Sequence, residues 1–160
     1  MDYLWTPWRY RYVTTAGGPG ECVFCSAVRG TDDRKTLIVH RGSLNFVILN
    51  RFPYTSGHLM VIPYTHVATL EDLDDQTLTE MILLARRTEK LLRVVYHPDG
   101  LNMGVNIGRA AGAGIAGHLH MHLLPRWMGD TNFMTTVAET RVEPEDLAVT
   151  WERLREGFQE

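Results

Sequence analysis

Residues 117–127 read GHLHMHLLPRW and set three histidines, His118, His120 and His122, at alternate positions. Successive side chains of a β-strand point to opposite faces of the sheet, so residues two apart share one face. A helix would distribute the same three side chains around its circumference. The leucine and methionine between the histidines suit a buried opposite face. The segment therefore predicts a strand with one apolar face and one face lined by imidazoles.

The remaining pattern predicts further strands together with two helices. Apolar runs bounded by turn residues predict strands over 36–40, 44–50, 58–63 and 101–108, with a further short candidate over 132–137. Apolar residues at three- and four-residue steps predict helices over 74–96 and 147–158. Antiparallel hairpins need no crossover helices. The fold class predicted is therefore α+β, with an antiparallel sheet of about five strands, one long helix and a C-terminal helix.

Length and composition restrict the class of protein. The chain has 160 residues, 44% of them hydrophobic, which suits one domain with a substantial core. Its formal net charge of −3 does not argue for a nucleic-acid-binding protein, and nucleic acid is not expected as a partner. The sequence has no apolar run of membrane-spanning or signal-peptide length, and it has two cysteines, so a cytoplasmic location is expected and a membrane partner is not.

The predicted organisation has three parts. Residues 1–20 form an N-terminal arm rich in tryptophan, tyrosine and arginine. Residues 21–137 form the main domain, and 138–160 form a C-terminal helical extension of that domain. The aromatic side chains of the arm favour packing in a core or an interface, where tryptophan and tyrosine concentrate.

Three alternate histidines admit three interpretations: a solvated strand face, a metal site, or a nucleophile with its helpers. Residues two apart on a strand project side chains roughly 6.5 to 7 Å apart, so three neighbours cannot all bind one ion without distortion. The preceding stretch 106–117 contains four glycines, and such a backbone can turn N–H groups toward phosphate oxygens. Its position next to the histidines favours nucleophilic catalysis on a phosphate.

The run His118-Leu-His120-Met-His122-Leu-Leu resembles the signature of the histidine triad family. The resemblance extends over about Cys22 to Trp127 and includes LNRFPYTSGHLMVIPYTHV at 49–67, where the family has a strand, a turn, Gly-His and a strand ending in proline. LWTPWR at 4–9 and PRWMGDTNF at 125–133 further resemble a bacterial branch of the family, the diadenosine tetraphosphate phosphorylase-like proteins.

The resemblance implies a mechanism and a set of site residues. His120 would attack the α-phosphorus of a nucleotide and form a covalent nucleotidyl-histidine. His122 would hydrogen-bond to the phosphate or the leaving group, and His58 matches the remaining histidine beside the triad. Catalytic roles are therefore implied for these three residues. Nucleotide-binding roles are implied for Asn50 at the ribose and for Asn106, Gly112, Ala113, Gly114, His120 and His122 at the phosphates.

One position departs from the pattern of many hydrolases in the family. They carry glutamine four residues before the first histidine, where this chain has Gly114. A smaller residue would leave room for orthophosphate as the acceptor, or would equally suit a different leaving group. The resemblance to the phosphorylase-like branch is the main support for phosphorolysis of diadenosine tetraphosphate to ATP and ADP. The alternatives are hydrolysis of dinucleoside polyphosphates, hydrolysis of adenosine phosphoramidates, and nucleotide binding without catalysis.

Cys22 and Cys25 form a C-x-x-C pair that is a weak signal alone. Two buried small side chains or a redox dithiol would give the same pattern. The resemblance implies instead a structural zinc site completed by His66 and His118, which is an ordinary tetrahedral set of two thiolates and two imidazoles. It also implies a homodimer in which two five-stranded sheets join across the interface.

Overall fold

The computed structural model describes residues 21–130 and 145–159. Its five strands are β1 (Ile38–Arg41), β2 (Asn45–Leu49), β3 (Leu59–Pro63), β4 (Gly100–Val105) and β5 (Met121–Arg126). They form one antiparallel sheet in the spatial order β1-β2-β3-β5-β4. The described α-helices are α1 (Val23–Arg29), α2 (Asp33–Thr36), α3 (Asp75–Tyr96) and α4 (Leu147–Gly157), and a 3₁₀ turn spans Arg109–Ala111.

The predicted α+β class, with one long helix and a C-terminal helix, is confirmed. The aromatic arm at 1–20 and the short strand expected over 132–137 lie outside the described residues. Within the described ranges, no helix combines the length and the apolar character needed to cross a membrane.

The sheet separates two apolar clusters. On one face, Val47, Val61 and Leu123 pack with the buried residues of α3 and α4. On the other face, a smaller cluster gathers Phe24 of α1 with strand residues, namely Ile38, Phe46, Ile48, Met60 and Ile62. Alternate strand residues therefore enter different clusters, as the two-residue period of a strand requires. The second face is also the face of the histidines.

Two of the three alternate histidines lie outside the regular strand. β5 begins at Met121, so the prediction of a strand from residue 118 is wrong over its first three residues. The alternation of side chains persists, because Leu119 and Met121 pack in the helix-side cluster while His118 and His120 contact Phe24. Leu119 N donates to the carbonyl of Val67 rather than to a neighbouring strand, which keeps the chain extended without a ladder.

Glu80 of α3 ties this helix to the turn between β1 and β2. Its carboxylate accepts hydrogen bonds from the backbone N–H groups of Ser43, Leu44 and Asn45, at 2.7 to 2.8 Å, and from the Asn45 side chain at 2.9 Å. Burial raises the pKa of Glu80, but these hydrogen bonds, led by the one from Asn45, outweigh it and hold the pKa below its usual value. The ionised carboxylate therefore stabilises the fold.

Replacing Glu80 with glutamine is expected to lower the free energy of unfolding at pH 7 by about 1 to 3 kcal/mol, because hydrogen bonds to a charged acceptor are lost. The folded-state pKa lies below the unfolded-state value of about 4.3, so the contribution is complete above that value and disappears as the pH falls through the folded-state pKa. Urea denaturation at pH 7 and at about pH 3 measures this difference.

The matched control is Glu89→Gln on the same helix, since Glu89 makes an exposed pair with Arg93. Its loss is expected to cost less than about 0.5 kcal/mol at either pH. An equal cost of Glu80→Gln at both pH values would contradict a role for the ionised carboxylate.

The C-terminal helix α4 packs beside β1 and satisfies backbone groups of that strand. Trp151 Nε1 donates to the Ile38 carbonyl at 2.9 Å, and the Arg155 guanidinium donates to the Val39 carbonyl at 2.8 Å. The ring of Phe158 stacks on His40 with centroids 4.9 Å apart. Burial lowers the pKa of His40, and the nearby arginines lower it further, so this ring stacks in its neutral form. His40 is thus part of the contact between α4 and β1.

Candidate active site and metal site

Three imidazoles meet at the start of β3 and β5. His58 directly precedes β3, while His122 lies within β5 opposite Met60 of β3. The antiparallel pairing therefore brings together residues 64 positions apart, and His58 Nε2 lies 2.9 Å from His122 Nδ1. The His120 ring lies edge-on to the His122 ring, with centroids 4.8 Å apart. The structure thus unites the three histidines for which a catalytic role was predicted.

The hydrogen bonds determine which nitrogen of the neutral rings carries the proton. The backbone N–H of Tyr54 donates to His58 Nδ1 at 3.2 Å, so the proton of His58 resides on Nε2. His58 Nε2 then donates to His122 Nδ1, which places the proton of His122 on its Nε2. Burial, and secondarily the nearby His120, lowers the pKa of His122 to about 4. His122 is therefore a neutral N–H donor at physiological pH.

His120 has the opposite arrangement of proton and lone pair. Its Nδ1 donates to the carbonyl of His118 at 2.8 Å, so Nε2 holds the lone pair. The side chain is buried, with 5% exposure, and this burial lowers its pKa although the bond to His118 opposes the shift. A neutral imidazole with one nitrogen oriented by a carbonyl is suited to nucleophilic attack through the other.

The predicted nucleotide-binding residues surround this triad in different ways. Asn50 is buried beside His58, with its Nδ2 at 3.3 Å from His58 Nδ1, and its Oδ1 accepts from Phe52 N. The Asn50 amide therefore supports the loop and the histidine pair. Asn106 follows the end of β4, and its side chain is half-buried.

In the loop preceding the triad, some backbone N–H groups donate hydrogen bonds within the loop itself. The N–H of Gly112 donates to Arg109 O at 3.0 Å, and the N–H of Ala113 donates to Gly108 O at 3.3 Å. Gly112 has a φ of 91°, which favours glycine at that position. No backbone partner for the N–H of Gly114 occurs among the described residues. Gly112, Ala113 and Gly114 were predicted to contact the phosphates. Of their three N–H groups, that of Gly114 is the one without a backbone acceptor among the described residues.

A second cluster lies on the other side of His118. Ligand atoms of Cys22, Cys25, His66 and His118 all lie within 4.8 Å of one another. Cys22 Sγ lies 3.3 Å from His118 Nδ1, and Cys25 Sγ lies 3.3 Å from His66 Nδ1. Burial and the adjacent Cys22 raise the pKa of Cys25, so its thiol is protonated until a cation is present. The structure brings together all four predicted ligands.

The ring of His118 is oriented for coordination. Its Nε2 lies 2.9 Å from the carbonyl of Pro63 and donates to it, which leaves the lone pair of Nδ1 directed at the two sulfurs. A hydrogen bond from the non-coordinating nitrogen to a carbonyl is a common feature of metal-binding histidines. Two sulfurs and two imidazole nitrogens fit the preference of zinc for a tetrahedral N/S set.

Two residues at the site escaped the sequence analysis. The ring of Tyr54 packs beside His58 with centroids 4.9 Å apart, and Phe24 packs against both His118 and His120. Phe24 and Val23 are the two apolar residues between the cysteines, and so short a run gives no periodic signal. The hydrogen bond from the Tyr54 backbone to His58 depends on the conformation of the 50–58 loop. The residue type at position 54 therefore does not predict this bond.

The sheet, the three joined imidazoles and the sequence of residues 118–124 together define a histidine-triad protein. The sequence model of the HIT domain matches residues 32–128, which is more than half of the chain, and the chain belongs to the HIT family. It is 37% identical over 159 residues to the "AP-4-A phosphorylase" of Mycobacterium tuberculosis, covering 94% of this chain and 80% of the relative. The resemblance noted in the sequence is confirmed.

Solved structures show the same fold. A Zn-bound histidine triad family protein from Mycobacterium smegmatis superposes with a TM-score of 0.70 at 31% identity, covering 87% of this chain and 94% of that protein. A histidine triad nucleotide-binding protein from Sulfolobus tokodaii superposes with a TM-score of 0.69 at 29% identity, covering 86% and 92% respectively.

Proposed function

We propose that this protein is a nucleotidyl-transferring enzyme that cleaves diadenosine tetraphosphate with orthophosphate to give ATP and ADP. The observation that carries the proposal is the pair of neutral rings, His120 with a free Nε2 lone pair and His122 with an Nε2 proton. The identity to the mycobacterial phosphorylase supports the substrate. The prediction of a HIT-family nucleotide phosphorylase or hydrolase is confirmed at the level of class.

In the first step, His120 Nε2 attacks the α-phosphorus, a P–N bond forms, and the P–O bond to the outgoing ATP breaks. The ring becomes an imidazolium, and its Nδ1–H still donates to the His118 carbonyl, whose oxygen stabilises the new positive charge. The Nε2 proton of His122 hydrogen-bonds to phosphate oxygens without adding a charge. His58 keeps His122 in the required tautomer.

In the second step, an oxygen of orthophosphate attacks the same phosphorus, the P–N bond breaks, and ADP leaves as His120 returns to its neutral form. Neutral imidazole is a good leaving group from the nucleotidyl-imidazolium, so the second step needs no strong external acid. Gly114 leaves space where many hydrolases carry a glutamine side chain. Asn50 and Asn106 are proposed to bind the ribose and the phosphates, with backbone support from Gly112, Ala113 and Gly114.

Product analysis with diadenosine tetraphosphate tests the acceptor. With orthophosphate present, we expect ATP and ADP as products. Without orthophosphate, the reaction should stop once each enzyme has released one ATP and holds the covalent intermediate. Separation of AMP, ADP and ATP by ion-exchange chromatography measures both conditions. AMP and ATP in equal amounts in both tubes would identify a hydrolase. If the enzyme cleaves an adenosine phosphoramidate but not the dinucleotide, its substrates are adenosine phosphoramidates.

The four-residue cluster supports the proposal that the protein binds a structural zinc ion. Bound zinc would cross-link helix α1 to the loop after β3 and to the start of the triad, through Cys22, Cys25, His66 and His118. It would contribute stability and fix these segments, since all four positions of a tetrahedral set are occupied by protein. The Zn-bound relative from Mycobacterium smegmatis supports the identity of the ion.

The homodimer, the cytoplasmic location and the division into 1–20, 21–137 and 138–160 stay predictions from the sequence. Size-exclusion chromatography with light scattering tests the first of these directly.

A further inference from the structure

Helix α1 connects the metal-ligand cluster to the triad through one side chain. Phe24 stands between Cys22 and Cys25 in the sequence, and its ring is buried, with 5% exposure. The ring centroid lies 5.3 Å from that of His120 at an interplanar angle of 55°, and 5.5 Å from that of His118 at 88°. These separations fall within the range of favourable contacts between aromatic rings.

We propose that Phe24 is a positioning residue for His120, and that the Cys22–Cys25 segment holds Phe24 in place. The Phe24 ring fixes the plane of the His120 imidazole. In that plane Nδ1 keeps its hydrogen bond to the His118 carbonyl, and Nε2 faces the reacting phosphorus. The inference rests on the proposed function for its kinetic consequence. The geometric part stands on the contacts of the ring.

The contacts of His120 explain why it needs such a neighbour. Among the described residues, one hydrogen bond of 2.8 Å orients its ring, and that bond permits the ring to tilt about its acceptor. The His122 ring meets His120 edge-on at 77°, and Phe24 provides a second contact. Two ring neighbours and one hydrogen bond define a plane, whereas the hydrogen bond alone does not.

The contacts of α1 explain how Phe24 is held. A seven-residue helix is too short to be stable alone, so its position depends on tertiary contacts. At its C-terminal end, the Arg41 guanidinium donates to the carbonyls of Val28 and Gly30, both at 3.1 Å. At its N-terminal end, the sulfurs of Cys22 and Cys25 meet His118 and His66. Phe24 lies at this second end.

The test compares Phe24→Ala and Phe24→Leu with the control Phe46→Leu. Phe46 is a buried ring of the same cluster that stacks on Tyr64 and makes no ring contact with the triad among the described residues. We expect Phe24→Ala to lower kcat roughly 10- to 100-fold, as small misplacements of a reacting group do, while KM changes less than about threefold. Phe24→Leu should recover most of kcat, since leucine fills much of the volume. Phe46→Leu should lower the melting temperature and leave kcat within about twofold.

Proton–nitrogen NMR correlation spectra of the histidine rings provide a readout without turnover. In the wild type, His120 should be the tautomer with its proton on Nδ1, and in Phe24→Ala a mixture of tautomers should appear with the metal content unchanged. A raised KM with unchanged kcat would overturn the proposal and make Phe24 a nucleotide contact. A loss of kcat in Phe46→Leu as large as the loss in Phe24→Ala would overturn it in favour of core packing. Absence of turnover in the wild type would refute the proposed function, while the tautomer comparison would still decide the role of Phe24.

Discussion

Replacing His120 with alanine is expected to lower nucleotide turnover by roughly 10⁴-fold or more, because no other described group offers a lone pair in the same place. Nucleotide binding should survive, since Asn50, His58 and the loop before the triad are unchanged. Steady-state kinetics with diadenosine tetraphosphate measure the loss, and calorimetric titration with ADP measures binding. Because the P–N bond of a phosphoramidate breaks in acid, the adenylyl-enzyme of the wild type should be detected after rapid quenching in base.

The matched control is His97→Asn. His97 is exposed at the end of α3 with a φ of 46°, a left-handed conformation that asparagine tolerates. This variant should keep full activity. An active His120→Ala enzyme would exclude covalent catalysis through this residue, and a wild type that binds nucleotide without any turnover would indicate a sensor.

Removing the proposed zinc ion is expected to destabilise the protein strongly and to slow turnover, but not to abolish turnover at once. If zinc is present about 1,000-fold above its dissociation constant, binding stabilises the folded state by about 4 kcal/mol. For a chain of this size, that loss lowers the melting temperature by roughly 8 to 16 °C. Calorimetry with and without a chelator measures the shift, and atomic absorption measures the metal content.

Cys25→Ser should reproduce the shift and make the protein insensitive to the chelator. Ser26→Ala, at an exposed position of the same helix, should retain both the metal and the melting temperature. Immediate and complete loss of turnover on chelation, with the melting temperature unchanged, would instead indicate a catalytic metal.

The long elements were predictable from sequence because their hydrophobic periods extend over many residues. The helix expected over 74–96 is observed as Asp75–Tyr96, with the Asp74 side chain capping its first turn. Helices α1 and α2 were not predicted, since seven and four residues give too short a period and their stability comes from tertiary contacts. The first half of the triad segment deviates from a strand because His118 is turned toward the cysteines and its carbonyl serves His120.

For the candidate site, the spacing of the histidines predicted that their rings share a face, and the family resemblance supplied the partners His58 and His66. The tautomers could not be predicted. They depend on the hydrogen bond from the Tyr54 backbone to His58, on the hydrogen bond between His58 and His122, which are 64 positions apart, and on the carbonyl that accepts from His120. Phe24 and Glu80 were missed for a related reason, since each acts through neighbours that only the folded chain supplies.

The contacts of α4 with β1 have a consequence for self-association. An unpaired edge strand is a template on which a further chain can add. Trp151 and Arg155 donate hydrogen bonds to the carbonyls of Ile38 and Val39 in β1, so a strand adding at this border would have to displace them. At the opposite border, β4 has no second strand partner among the described residues. Among the described residues, sheet extension between copies is therefore open at β4 and hindered at β1. A β4-to-β4 contact would be its own symmetry mate and would use the open border of both copies, so assembly by this route would end at two copies.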